Sequence, residues 1–267
     1  MTTLPQPVRT STELRTLRIG QEGAMLSIEL NMPEQGNVVS DAMLDDLLLV
    51  LERQSPAVSV IVLSGAGEDF SLGGDRFEYL THLRVDPAGS GIRASGAKAL
   101  RICQALSANP AVTIARVQGR AIGAGLALAL ACDLRVGGEE ASFRLPELGL
   151  GLPTAWGGLL PRLIHEAGAA RARELILTGR AFSADEALAC SILQRTVPTA
   201  DLDAAVEAWA RPVMRRSGPA LRITKALLNS YAAATRLADP ATLDPEVMAA
   251  VAAESLRASG ERPLRVE

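Results

Sequence analysis

The sequence predicts an α/β fold, and three observations carry that prediction. VSVIVLSG at 58–65 is β-branched and apolar throughout, the composition of a strand covered on both faces. Just before it, residues 41–53 place apolar side chains at helical spacing. A second such strand, VTIARVQG at 112–119, again leads into a helical run. Strand, helix and strand in this order make a crossover unit, for which the right-handed form is the rule.

Taken in order, LRTLRIG and AMLSIELN predict two strands joined by a turn around Gln21, Glu22 and Gly23. Ser40 caps a helix over Asp41 to Arg53 with Met43, Leu44, Leu47, Leu48 and Leu51 on one face. DPAGSGIRASG at 86–96 has the Gly/Ser content of a mobile loop. The strand at 112–119 runs directly into the apolar stretch Ala121 to Cys132, a buried helix, and LRVGG at 134–138 is a short strand. Repeated β-β-α or β-α-β units result, without close sequence repetition. From Ala167 the pattern turns helical. AGAARARELILTG ends at Gly179, Ser183 to Glu186 forms a capping box, and helices follow around 200–216, 219–238 and 244–258. The division expected is an α/β core over 1–195 and a helical C-terminal region over 196–267.

The chain has 267 residues, 48% hydrophobic, with a formal charge of −3. That balance argues against nucleic acid or an anionic membrane as partner, since both require clustered Lys and Arg. The N-terminal stretch lacks the apolar region of a signal peptide, and Ala121 to Cys132 is short for a membrane span. Cys103, Cys132 and Cys190 stand far apart, and His82 and His165 are the only histidines. Neither a disulfide framework nor a metal site is expected, and a reducing cytoplasm is. No G-x-S-x-G elbow is present.

Three segments have the composition of a catalytic site. FSLGGD at 70–75 turns tightly at Gly73 and Gly74 after a strand, leaving backbone N–H groups free. GRAIGAG at 119–125 opens a helix, so further free N–H groups point out at the positive end of its dipole. Two N–H groups aimed at one oxygen stabilise a developing oxyanion. In FRLPELGLGLP at 143–153, Glu147 stands among Leu145, Leu148, Leu150 and Leu152, where desolvation raises a carboxyl pKa towards neutrality. Each segment taken alone also reads as ordinary structure, the loops as Gly-rich turns and the glutamate as a surface residue.

Together FSLGGD, VTIARVQGRAIGAGLALALACDLRV, ASFRLPELGLGLPTAWGGLLPRLI and ELILTGRAFSADEALACSILQRTV resemble, in order and spacing, the crotonase superfamily, the enoyl-CoA hydratase/isomerase family. The resemblance implies a spiral of β-β-α units and a C-terminal helical region used for trimerisation. It implies an acyl thioester substrate, carried by coenzyme A or an acyl carrier protein, with no cofactor beyond the CoA of the substrate. A homotrimer or hexamer is the implied assembly. Carried over residue by residue, the backbone N–H groups of Leu72 and Ala124 form the oxyanion hole, and Glu147 is the catalytic carboxylate. Gly73, Gly125, Arg76, Trp156 and Lys225 fall where substrate is bound, Lys225 near the CoA phosphates. Asp133 matches a structural Cys-Asp pair.

One departure directs the reading. Family hydratases carry a second glutamate, which by position falls here on Ala127. One base and an oxyanion hole suffice for a double-bond isomerase, the leading expectation, with a hydratase-like reaction next. A carbon-carbon lyase, a decarboxylase or a catalytically reduced binding or assembly protein stay open.

Overall fold

The computed structural model describes residues 9–234 and 240–259. Strands β1 (Arg9–Glu13), β2 (Leu17–Glu22) and β3 (Met25–Leu30) form an antiparallel meander. The β2–β3 turn is tighter than predicted, because β2 continues through Glu22 and Gly23 turns the chain at φ +57°. Helix α1 (Asp41–Arg53) starts where the Ser40 hydroxyl accepts the Met43 N–H, and the five predicted apolar residues are buried. Strand β4 (Val60–Gly65) lies parallel to β3. Its Ile61 and Leu63 enter one core while Val60 and Val62 enter a second on the opposite face.

Helices α2 (Arg76–Val85) and α3 (Ser90–Ser107) follow, and α3 occupies most of the segment expected to be a loop. The small residues there serve close packing. A Cβ at Gly91 would fall 2.4 Å from the His82 ring, and one at Gly96 would fall 3.1 Å from Pro245. Each helical glycine costs about 1 kcal/mol relative to alanine, and the approach of neighbouring helices offsets it.

The chain then runs through β5 (Val112–Val117), β6 (Arg120–Ile122), α4 (Ala124–Ala131), β7 (Leu134–Gly138) and β8 (Ser142–Arg144). The predicted direct passage from strand to helix at 119–121 is corrected here. Gly119, at φ +54°, turns the chain into the three-residue β6, which is too short to show a period. A 3₁₀ turn (Glu147–Leu150) precedes α5 (Leu159–Ala167) and α6 (Ala169–Thr178). Next come β9 (Phe182–Ser183), α7 (Ala184–Ala189) with both bonds of its capping box, and β10 (Arg195–Val197). The two short strands interrupt a stretch that reads as helical. Helices α8 (Leu202–Met214), α9 (Gly218–Ala234) and α10 (Asp244–Ser259) complete the described chain. The rest of the predicted 219–238 helix, residues 235–238, lies outside the described residues, as do 1–8 and 260–267.

A seven-stranded sheet has the order β1-β2-β3-β4-β5-β7-β10, and a three-stranded sheet has β6-β8-β9. Twice the chain passes from the large sheet to the small one and then to a helix, β5-β6-α4 and β7-β8-α5. These are the β-β-α turns of the spiral. Helix α8 covers the far face of the large sheet, packing Leu202, Ala205, Val206 and Ala210 among Val60, Val62, Ile114 and Val136. Among the described residues no helix is long and apolar enough to cross a membrane.

Lys225 on α9 corrects a further expectation. Its ammonium is buried, lies 2.6 Å from the Asp133 carboxylate and donates to the Ala111 carbonyl at 2.8 Å. Asp133 also accepts the Thr113 N–H, tying α9 to the end of α4 and the start of β5. Burial lowers the Lys225 pKa, against the pull of Asp133. An ammonium so committed is not available to a phosphate. Removing one partner of a buried pair strands the other charge, so Lys225→Met is expected to lower the unfolding free energy by roughly 3 kcal/mol, read by urea denaturation. A surface phosphate-binding lysine would lose less than about 1 kcal/mol.

Candidate active site

A cleft of about 440 Å³ opens between α2, β6, β8, the 3₁₀ turn and α10, with Leu72, Gly74, Ala124, Glu147, Trp156 and Met248 among its lining residues. Its floor is made by the two Gly-containing turns. Ser71 bridges to β6, its N–H donating to the Arg120 carbonyl and its own carbonyl accepting from Ile122, both at 3.0 Å. The Asp69 carboxylate accepts the backbone N–H and the guanidinium of Arg120, whose hydrogen bonds hold its pKa below the usual range. This clamp brings the turns together. Gly73, at φ +96°, has no room for a side chain, since a Cβ would fall 2.8 Å from the Ile122 carbonyl and 3.7 Å from the Ala124 nitrogen.

Which N–H groups face the cleft depends on the segment at 36–39. The Leu72 N–H, expected as the first oxyanion donor, donates instead to the Gly36 carbonyl at 2.9 Å. The Gly73 N–H goes to the Ser71 hydroxyl, and the Asp75 N–H to the Val39 carbonyl. Gly74, two residues beyond the predicted donor, lines the cleft with its N–H unengaged among the described residues. Sequence reasoning missed it because the long-range pairing with residues 36–39 decides which donors are used.

On the second turn the Gly123 N–H donates to the Arg144 carbonyl, and Ala124 is the first residue of α4. A first-turn N–H has no intrahelical acceptor, so that of Ala124 is free and faces the cleft at the positive end of the helix. Gly125 does not face it. A Cβ there would fall 2.7 Å from Ser71, so its role is close packing behind the floor, which corrects its expected contact with substrate.

Glu147 opens the 3₁₀ turn and extends over Gly123, where a Cβ would fall 2.8 Å from Oε1. The side chain is buried, and Oε2 has no hydrogen-bond partner among the described residues. Burial pushes its pKa up to about 7, with its own backbone N–H and the Thr154 hydroxyl acting in the opposite direction. A carboxyl poised there takes and returns a proton at neutral pH.

Arg76 and Trp156 line the cleft, as do Arg120 and Arg144. Lys225 does not, for the reason given above. Ala127 is buried within α4 and presents no polar group. His82 lies outside the cleft lining, with Nε2 2.8 Å from the Asp41 carboxylate. Burial pushes the thiols of Cys103 and Cys132 up to about 12, which removes them as nucleophiles at neutral pH. Among the described residues no three His, Cys, Asp or Glu side chains form a metal-binding group.

The raised Glu147 pKa has a consequence for stability. The folded state holds this proton to higher pH than the unfolded chain, so its contribution is fully present below pH 4.5 and is lost as pH rises through about 7. Unfolding of wild type and Glu147→Gln at pH 4.5 and 8 reads the effect. The wild type is expected to lose roughly 3 kcal/mol relative to the variant between the two.

The chain matches the family model described as Enoyl-CoA hydratase/isomerase over residues 20–261. It is 33% identical over 210 residues to a Thermus thermophilus protein assigned as an enoyl-CoA hydratase, covering 78% of this chain and 81% of that one. A monofunctional enoyl-CoA isomerase from M. smegmatis superposes with a TM-score of 0.69 at 31% identity, over 84% of this chain and 97% of that one. A Thermobifida fusca protein assigned as an enoyl-CoA hydratase, solved in complex with CoA, superposes with a TM-score of 0.76 at 29% identity, over 92% and 95%. With its β-β-α spiral and the two glycine turns beneath a buried glutamate, the chain belongs to the enoyl-CoA hydratase/isomerase family of the crotonase superfamily.

Proposed function

We propose that the protein is an enoyl thioester isomerase in which Glu147 is the single carboxylate base. The observation that carries this reading is a buried Glu147 beside two free N–H groups, with Ala127 where a second acid would stand. The thioester oxygen accepts from the N–H groups of Gly74 and Ala124. Glu147 takes a proton from the carbon between the carbonyl and the double bond. The electrons of that C–H bond pass into a dienolate whose oxygen charge the two N–H groups stabilise. Protonation at the far carbon of the dienolate leaves the double bond conjugated with the thioester. Net, one proton leaves one carbon and one arrives at another.

The CoA complex of the Thermobifida fusca relative supports coenzyme A as the carrier. Arg76 and Arg144 supply positive charge along the cleft for its phosphates. Trp156, Leu150 and Met248 supply an apolar wall for the acyl chain. The trimer belongs to the same reading. Helix α9 leaves Ile223, Leu227, Leu228 and Tyr231 exposed, an apolar stripe suited to a second copy, and sedimentation equilibrium showing only 28.0 kDa monomers would remove it.

Proton exchange and double-bond movement are followed together by NMR with 3-enoyl-CoA in D₂O. Wild type is expected to catalyse both, with kcat/KM rising as Glu147 ionises through about pH 7 and level above it. Glu147→Gln is expected to lower both by about 10³-fold. Full activity in that variant would reject the base, and hydration without isomerisation would reject the reaction class.

A further inference from the structure

Glu147 is not the only protic side chain in the cleft. Half-buried Tyr79, one turn into α2, lines it too. A Cβ at Gly74 would fall 3.4 Å from the Tyr79 hydroxyl, whereas one at Gly123 would fall 2.8 Å from Glu147 Oε1. The phenol therefore stands beside the first turn and the carboxyl beside the second. Trp156 neighbours the phenol on the cleft wall. The other ionisable side chains of the lining are Arg76, Arg120 and Arg144, whose guanidinium groups are hydrogen-bond donors without an acceptor site. Ala127 offers nothing to replace a second acid.

Resting on the isomerase reading, we propose that Tyr79 is the second proton-transfer residue of this site, its hydroxyl delivering the proton to the far carbon of the dienolate that Glu147 generates. The balance closes in three steps. The C–H bond at the first carbon breaks, its proton going to the Glu147 carboxylate and its electrons into the dienolate. The dienolate pair at the far carbon then bonds the Tyr79 proton, leaving the O–H electrons on the phenolate. Finally the Glu147 carboxylic acid returns its proton to that phenolate, and both residues are as they began. Burial pushes the Tyr79 pKa up to about 12, with the Trp156 hydrogen bond opposing, so the phenol is protonated at the start and the last transfer runs downhill.

Tyr79→Phe keeps the ring and removes only the hydroxyl. With 3-enoyl-CoA in D₂O, the variant is expected to retain exchange at the first carbon within about twofold while isomerisation falls about 10²-fold. Loss of both in parallel, or of neither, overturns the proposal. Wild type gives a second readout that needs no variant. In a single turnover of substrate deuterated at the first carbon, no label is expected at the far carbon, and direct transfer of the label would overturn the two-residue route. Wild-type protein without exchange at the first carbon would instead sink the Glu147 reading, and this proposal with it.

Discussion

Two backbone turns meet with no space for a side chain between them, and the rest of the cleft is arranged around that contact. Gly73 sits against the Ile122 carbonyl, and the Ser71 bridge to β6 and the Asp69–Arg120 ion pair hold the approach. Because each turn follows a strand of a different unit, only the passage from large sheet to small sheet brings them together. Residues 36–39 then complete the floor by accepting the Leu72 and Asp75 N–H groups, which leaves Gly74 facing outward. A free donor is thus a property of the tertiary structure, although the atoms are backbone.

The same contact sets the electrostatics. A Cβ on Gly123 would displace Glu147, so the conformation that frees the Ala124 N–H also makes space for the carboxyl. That carboxyl lies in an apolar setting with one oxygen unpartnered, an arrangement that costs about 1–3 kcal/mol of stability. Conflict of this kind between local satisfaction and placement is expected at a functional site. Buried charge elsewhere is handled in the opposite way. The Lys225 ammonium is also withdrawn from water, but it has its partner in the half-buried Asp133, and their product is architecture.

Much of the fold was legible because it rests on local rules. The Ser40 cap, the Ser183 capping box, the apolar face of α1 and the doubly buried β4 are all consequences of residues within a few positions of one another. The misreadings share a different cause. Glycines at 91 and 96 have the composition of a loop, yet they mark where α2 and α10 approach α3. Lys225 reads as a surface lysine until its partner, on a different element, is in place. Motif spacing led to Glu147 and Ala124, both of which line the cleft, whereas it could not show that the Leu72 N–H is spent on the Gly36 carbonyl, far off in sequence. Tyr79 belongs to no motif, and its place in the cleft follows from the path of α2.

A crystal structure with an unreactive enoyl-CoA thioether or amide analogue in the cleft tests the central claim most directly, through the position of one oxygen. The account predicts the analogue's carbonyl oxygen, or its substitute, about 3 Å from both the Gly74 and Ala124 nitrogens, with the adjacent carbon facing Glu147. An analogue bound with that oxygen away from either nitrogen, or with Glu147 turned from the adjacent carbon, would contradict it.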